Sequence, residues 1–153
     1  MNRKVFVDTS AWLALVNKSD ATHQRAKKVR DALLKDHIQF VVTNFVMVEI
    51  ANALCRVPHK ETAVKLINFI GMSENIQIVE IDKGIYKEAW RMYSTYLDKD
   101  WSLTDCTSFE VMKERGITQA FTPLESPAAC SRDEGNFLMA ANTGFNAPCE
   151  PSR

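Results

Sequence analysis

Apolar and polar positions along the first 122 residues fall into blocks whose period switches between strand-like and helix-like. Val5-Phe6-Val7 is a continuous β-branched and aromatic run ended by Asp8, the pattern of a strand buried on both faces. Thr9 to Val16 follows as a short helix. Ser19-Asp20 offers a cap for a second helix, in which Ala26, Val29 and Leu33 recur at three- and four-residue spacing. Gln39 to Thr43 predicts the next strand. Asn44 then caps a helix to about Arg56, with Met47, Ile50, Ala51 and Leu54 on one stripe, and Pro58 breaks it. Lys60 to Ile70 predicts a further helix closed by Gly71. Ile76 to Ile81 reads as a third strand. From Gly84, the positions Ile85, Ala89, Met92 and Tyr96 keep helical spacing up to a polar turn at Asp98-Lys99-Asp100. Ser102 to Arg115 is the last helix, ended by Gly116, and Ile117 to Thr122 the fourth strand.

Strands that alternate with helices pair in parallel through right-handed crossovers. The pattern therefore predicts an α/β fold, a three-layer α/β/α sandwich on a parallel sheet of four to five strands. Open sheets of this kind bind ligands beyond the carboxyl ends of their strands. That rule gives weight to the acids found there.

The composition changes after Thr122. Residues 122–153 hold four of the five prolines, two of the five glycines and two of the four cysteines, so the chain divides into a domain over 1–122 and an atypical tail over 123–153. Phe137 to Ala141 is long enough for one or two helical turns in a tail otherwise expected as loop or disorder. Lys plus Arg balance Asp plus Glu at 19 each, which excludes a broad basic coat for nonspecific nucleic-acid binding. No apolar run approaches the roughly 18 residues of a spanning helix, and the first residues lack a signal-peptide core, so a cytoplasmic protein with no membrane partner is expected. Cys55, Cys106, Cys130 and Cys149 show no CxxC spacing, which argues for free thiols rather than zinc.

Three carboxylates stand where a site belongs. Asp8 follows the first strand, Glu49 lies in the second turn of the helix after the second strand, and Asp105 lies in the first turn of the helix before the fourth strand. Three acids converging at one edge repel one another unless a hard divalent cation neutralises them, and oxygen-only ligands point to Mg²⁺, with Mn²⁺ as a substitute. Each acid also has a local reading. Asp8 can cap the Thr9 helix, Ser102 and Asp105 fit a capping box, and Glu49 can face water, although its neighbours Val46, Met47, Val48 and Ile50 are apolar. Other α/β chemistries lack their motifs: there is no GxGxxG, no GxxxxGK[ST] and no GxSxG. Asp82 suits the acceptor of a receiver domain, but Asp8 has only Val7 beside it where that reading needs a second acid.

The segments Val5 to Trp12, Thr43 to Ile50 and Asp100 to Phe109, in that order and separation, resemble the PIN-domain ribonucleases, and most of all the VapC-type toxins of bacterial toxin–antitoxin pairs. The resemblance covers residues 1 to about 122. It implies a Mg²⁺-dependent endoribonuclease that cleaves RNA with a metal-activated water, with Asp8, Glu49 and Asp105 as metal ligands and catalytic acids. It also implies a cognate antitoxin and a homodimer. Ser10 and Thr104 stand close to these acids in sequence, and Asp100 is a further supporting position whose plainer reading is a solvated turn acid. Arg25, Lys27, Lys28 and Arg30 could guide RNA or form a solvated face, and Trp12 and Trp101 could stack on bases or pack in the core. The family's fourth acid is missing, because Phe121-Thr122 is followed by Pro123 and Leu124 stands in its place. Its closing helix and strand are equally unrecognisable. This departure supports an alternative, a non-catalytic PIN-like module that binds RNA or antitoxin without cutting.

Overall fold

The computed structural model describes residues 3–122 and the short strand 138–140. Strand β1 (Lys4–Val7) is central and is followed by α1 (Thr9–Val16) and α2 (His23–Lys35). Strand β2 (Gln39–Thr43) leads to α3 (Asn44–Ala53) and α4 (Val57–Met72), and β3 (Ile76–Val79) leads to α5 (Lys83–Thr95) and α6 (Leu103–Arg115). Strands β4 (Gln119–Phe121) and β5 (Leu138–Ala140) complete a sheet of order β3-β2-β1-β4-β5.

The first four strands are parallel. Phe6 stands opposite Val41 of β2 on one side and Ala120 of β4 on the other. Val5, Phe6 and Val7 are essentially inaccessible, as a strand covered on both faces requires. Right-handed crossovers assign α1 to α4 to one face of the sheet and α5 and α6 to the other. One apolar cluster runs through the sheet, from Trp12, Ala26, Ile50 and Ile70 to Ile85 and Val111. The α/β sandwich anticipated from the alternation of blocks is the fold observed.

Local details correct the sequence reading. Strand β5 runs antiparallel to β4, so Leu138 to Ala140 is extended where the tail suggested a helical turn, and the edge of β4 is paired rather than open. Thr43, not Asn44, caps α3: its hydroxyl accepts from the Val46 N–H at 3.2 Å, while the Asn44 Oδ1 accepts from the Ile81 N–H at 3.0 Å and ties α3 to the exit of β3. Helix α3 also ends at Ala53 rather than near Arg56. Pro58 opens α4 from its first turn, where a missing N–H costs nothing, and α4 runs through Gly71 to Met72. Thr22 occupies the cap position of α2, and the Asp20 carboxylate instead folds the preceding turn by accepting from the Thr22 N–H at 2.7 Å. The remainder of the 123–153 tail and Leu124 lie outside the described residues.

Gly116 closes α6 in the left-handed conformation, with φ of 63°. A Cβ added there would meet nothing within 4 Å, so only backbone strain opposes a side chain. Gly116→Ala should therefore lower the unfolding free energy by about 1 kcal/mol, the cost of left-handed backbone for an L-residue, with no added steric term. Urea denaturation of the two proteins measures this difference.

Candidate active site

In the strand order β3-β2-β1-β4, the chain leaves β1 toward β2 on one side while β4 lies on the other. This divergence makes the gap between the carboxyl ends of β1 and β4 the switch point, where a parallel sheet opens a crevice. Asp8 and Thr122 are the first residues beyond those two ends. The Asp8 N–H donates to the Phe121 carbonyl at 3.1 Å, and the Ser10 and Thr122 hydroxyls lie 3.1 Å apart across the gap.

Asp8 occupies the N-cap position of α1, but its side chain makes no capping bond into the helix. Its Oδ2 accepts instead from the Ser10 hydroxyl at 3.0 Å. Glu49 is half-buried on α3, and its Oε2 accepts from the Thr9 hydroxyl at 2.6 Å. Asp105 satisfies its local reading in full. Its Oδ2 accepts from the Ser102 N–H at 2.8 Å while its own N–H donates to the Ser102 Oγ at 3.0 Å, a complete capping box. None of the ion pairs among the described residues involves these three acids.

The Asp8 carboxyl is pushed above the usual carboxylate range. Burial is the largest cause, followed by the negative charge of Asp105; the Ser10 hydroxyl and the Thr9 backbone N–H pull the other way, and the charge of Glu49 adds a smaller upward push. Asp105 and Glu49 thus lie within electrostatic reach of Asp8, although successive members of the trio stand 41 and 56 residues apart in sequence. They do not close on a single point: among the described residues no three His, Cys, Asp or Glu side chains form a ready-made cation site. The donors are all hard oxygens and carry excess negative charge, so their chemistry fits a hard divalent cation.

The remaining expected residues are placed as follows. Thr104 is half-buried in the first turn of α6, where its carbonyl accepts from the Thr107 and Ser108 hydroxyls at 2.7 and 3.0 Å. Asp100 is exposed in the loop before Trp101 and forms no hydrogen bond among the described residues. Trp101 is wedged edge-on between Tyr96 and Phe109, with ring centroids at 5.9 and 5.4 Å, and Trp12 is 3 % exposed against Phe40. Both tryptophans pack. Arg30 pairs with Asp31 at 2.8 Å. Asp82 caps α5, accepting from the Ile85 N–H at 2.9 Å, and the receiver reading still lacks a second acid beside Asp8. Two hydroxyls of this crevice, Thr9 and Thr122, escaped the sequence reading. The signal for Thr9 was the D-T-S run itself, which puts a second hydroxyl beside the one already noted at Ser10.

Comparison with known proteins settles the kinship. Residues 5–134 match the PIN domain. The chain belongs to the PIN-domain family. The 23S rRNA-specific endonuclease VapC20 of Mycobacterium tuberculosis, from strains CDC 1551 / Oshkosh and ATCC 25618 / H37Rv, is 32% identical to this PIN domain over 118 residues, which span 76% of this chain and 86% of the relative. The crystal structure of Mycobacterium tuberculosis VapC20, a sarcin–ricin loop cleaving toxin, superposes with a TM-score of 0.68 at 29% identity, covering 77% of this chain and 88% of that one.

Because the native state binds the Asp8 proton more tightly than the unfolded chain does, stability falls as pH rises from the ordinary value of 3.8 through the raised one. In EDTA, Asp8→Asn should remove this slope and raise the thermal midpoint at pH 7 by roughly 3 °C, the shift that about 1 kcal/mol makes in a chain of this size. Circular dichroism melts across pH check it. A second outcome concerns Cys106, whose thiol is pushed up to about 11 by burial and then by the Asp105 charge, while Cys55 is exposed. With Cys130 and Cys149 replaced by serine, iodoacetamide at pH 8 should label one thiol per folded chain, and mass spectrometry should place it on Cys55.

Proposed function

We propose that this PIN domain is a divalent-metal-dependent endoribonuclease of the VapC toxin type. The observation that carries the reading is the placement of Asp8 at the switch point of a parallel sheet, within reach of the charges of Asp105 and Glu49. Asp8, Glu49 and Asp105 would hold the ion, with Mg²⁺ as the expected metal and Mn²⁺ as its substitute. The chemistry such an ion would supply is activation of a water and neutralisation of charge on the scissile phosphate. The chain's own groups orient the acids. The Ser10 hydroxyl fixes one oxygen of Asp8, and the capping box fixes one oxygen of Asp105 and leaves Oδ1 without a partner among the described residues. A cytoplasmic site of action, an antitoxin that silences the enzyme and pairing with a second copy of the chain complete the reading. The relative's activity on the sarcin–ricin loop makes that RNA the first substrate to try.

The second reading, a module that binds RNA or antitoxin without cutting, draws support from Leu124 at the fourth acid position and from the lack of a closed three-ligand cluster among the described residues.

The purified chain should cut a sarcin–ricin loop oligonucleotide in millimolar Mg²⁺ and stop in EDTA. Asp8→Asn should cost more than the roughly 10–100-fold that loss of a partner supporting a metal ligand costs. Cleavage that survives both EDTA and Asp8→Asn rejects this site as its source. RNA binding with no cation uptake by calorimetry selects the non-catalytic reading.

A further inference from the structure

Thr9 follows Asp8 directly in the chain and is bonded to Glu49: its hydroxyl donates to the Glu49 Oε2 at 2.6 Å, a contact between residues 40 apart in sequence. It is the first residue of α1, held where β1 ends, so its position is fixed by the sheet rather than by a mobile stem. Glu49 has no such constraint. It is half-buried in the middle of α3, between exposed Val48 and buried Ile50, with a long side chain whose carboxylate gains by turning into water away from Asp8 and Asp105. No cation among the described residues holds it in place, and the Thr9 hydroxyl is its one hydrogen-bond partner there.

We infer that Thr9 is a positioning residue, whose hydroxyl holds Glu49 beside Asp8 before any metal arrives. The inference rests on the metal-site reading above and adds to it a source for the order of the most mobile ligand. The bond occupies Oε2 and leaves Oε1 for other contacts. At 2.6 Å it is a short hydroxyl-to-carboxylate bond, directional enough to hold the side chain. A valine in place of Thr9 keeps the shape and removes the donor; a serine keeps the donor.

The test is Mn²⁺ calorimetry on the full chain and on Thr9→Val, Thr9→Ser, Glu49→Ala and the Thr9→Val/Glu49→Ala double variant, with melts to confirm folding. Thr9→Val should bind Mn²⁺ about tenfold more weakly. Thr9→Ser should stay within about twofold of the parent, a rescue that a merely structural role for the side chain would not produce. In the Glu49→Ala background, Thr9→Val should add nothing. Unchanged or tighter binding by Thr9→Val overturns the inference, and so does a loss of equal size in the Glu49→Ala background. Glu49→Ala binding as tightly as the parent would remove Glu49 from the site, a different failure. Urea unfolding of the same four-member cycle in EDTA reads the Thr9–Glu49 bond without metal. A coupling there supports the positioning role even where Mn²⁺ binds weakly, and its absence overturns it.

Discussion

Like charges placed together at a half-buried sheet edge raise the free energy of the fold, and each of the three acids of this PIN domain is restrained against that repulsion by a donor from the polypeptide. Asp8 takes the Ser10 hydroxyl, Glu49 the Thr9 hydroxyl and Asp105 the Ser102 backbone N–H. These bonds restrain the directions of the carboxylates, but they do not cancel the charge. The Asp8 carboxyl is raised first by burial and then by the charges of Asp105 and Glu49. A fold that keeps such an imbalance holds in reserve an affinity for a cation, because a divalent ion removes repulsion that neutral donors only tolerate.

The sheet makes this arrangement rigid. Asp8 and the end of β4 are joined by backbone and hydroxyl bonds at the switch point, and the residues just before Asp8 are buried on both faces. Asp8 cannot drift without disturbing the centre of the core. Asp105 is nearly as fixed, since its capping box belongs to the first turn of a helix packed against α5. Glu49 is the acid whose position rests least on the main chain. The order of rigidity therefore follows how each acid is anchored: by a central strand, by a helix cap, or by one side-chain bond.

The alternation of blocks made the existence and order of ten elements legible because strand and helix periods differ and the buried strands carry continuous apolar runs. Caps were less legible. Thr43 and Asn44 are both good cap residues, and what decides between them is the Ile81 N–H, 37 residues away, which engages Asn44. Gly71 reads as a stop, yet α4 continues through it and ends at Met72. Strand β5 was hidden because Leu138-Met139-Ala140 fits either period, and its extended form depends on a free edge of β4 that local sequence cannot reveal.

For the acids, the local reading leaves room for the functional one. The S-x-x-D pattern at Ser102 predicted a capping box, and the box is complete; the same Asp105 also presses its charge on Asp8. A carboxylate has two oxygens, and a cap uses one. The helix terminus thereby orients Asp105 at no expense to its second oxygen. Weighing a structural role against a chemical one as rivals undervalues such residues. A side chain held by its local fold is the better placed to act on what enters the crevice, since less of its freedom remains to be lost on binding.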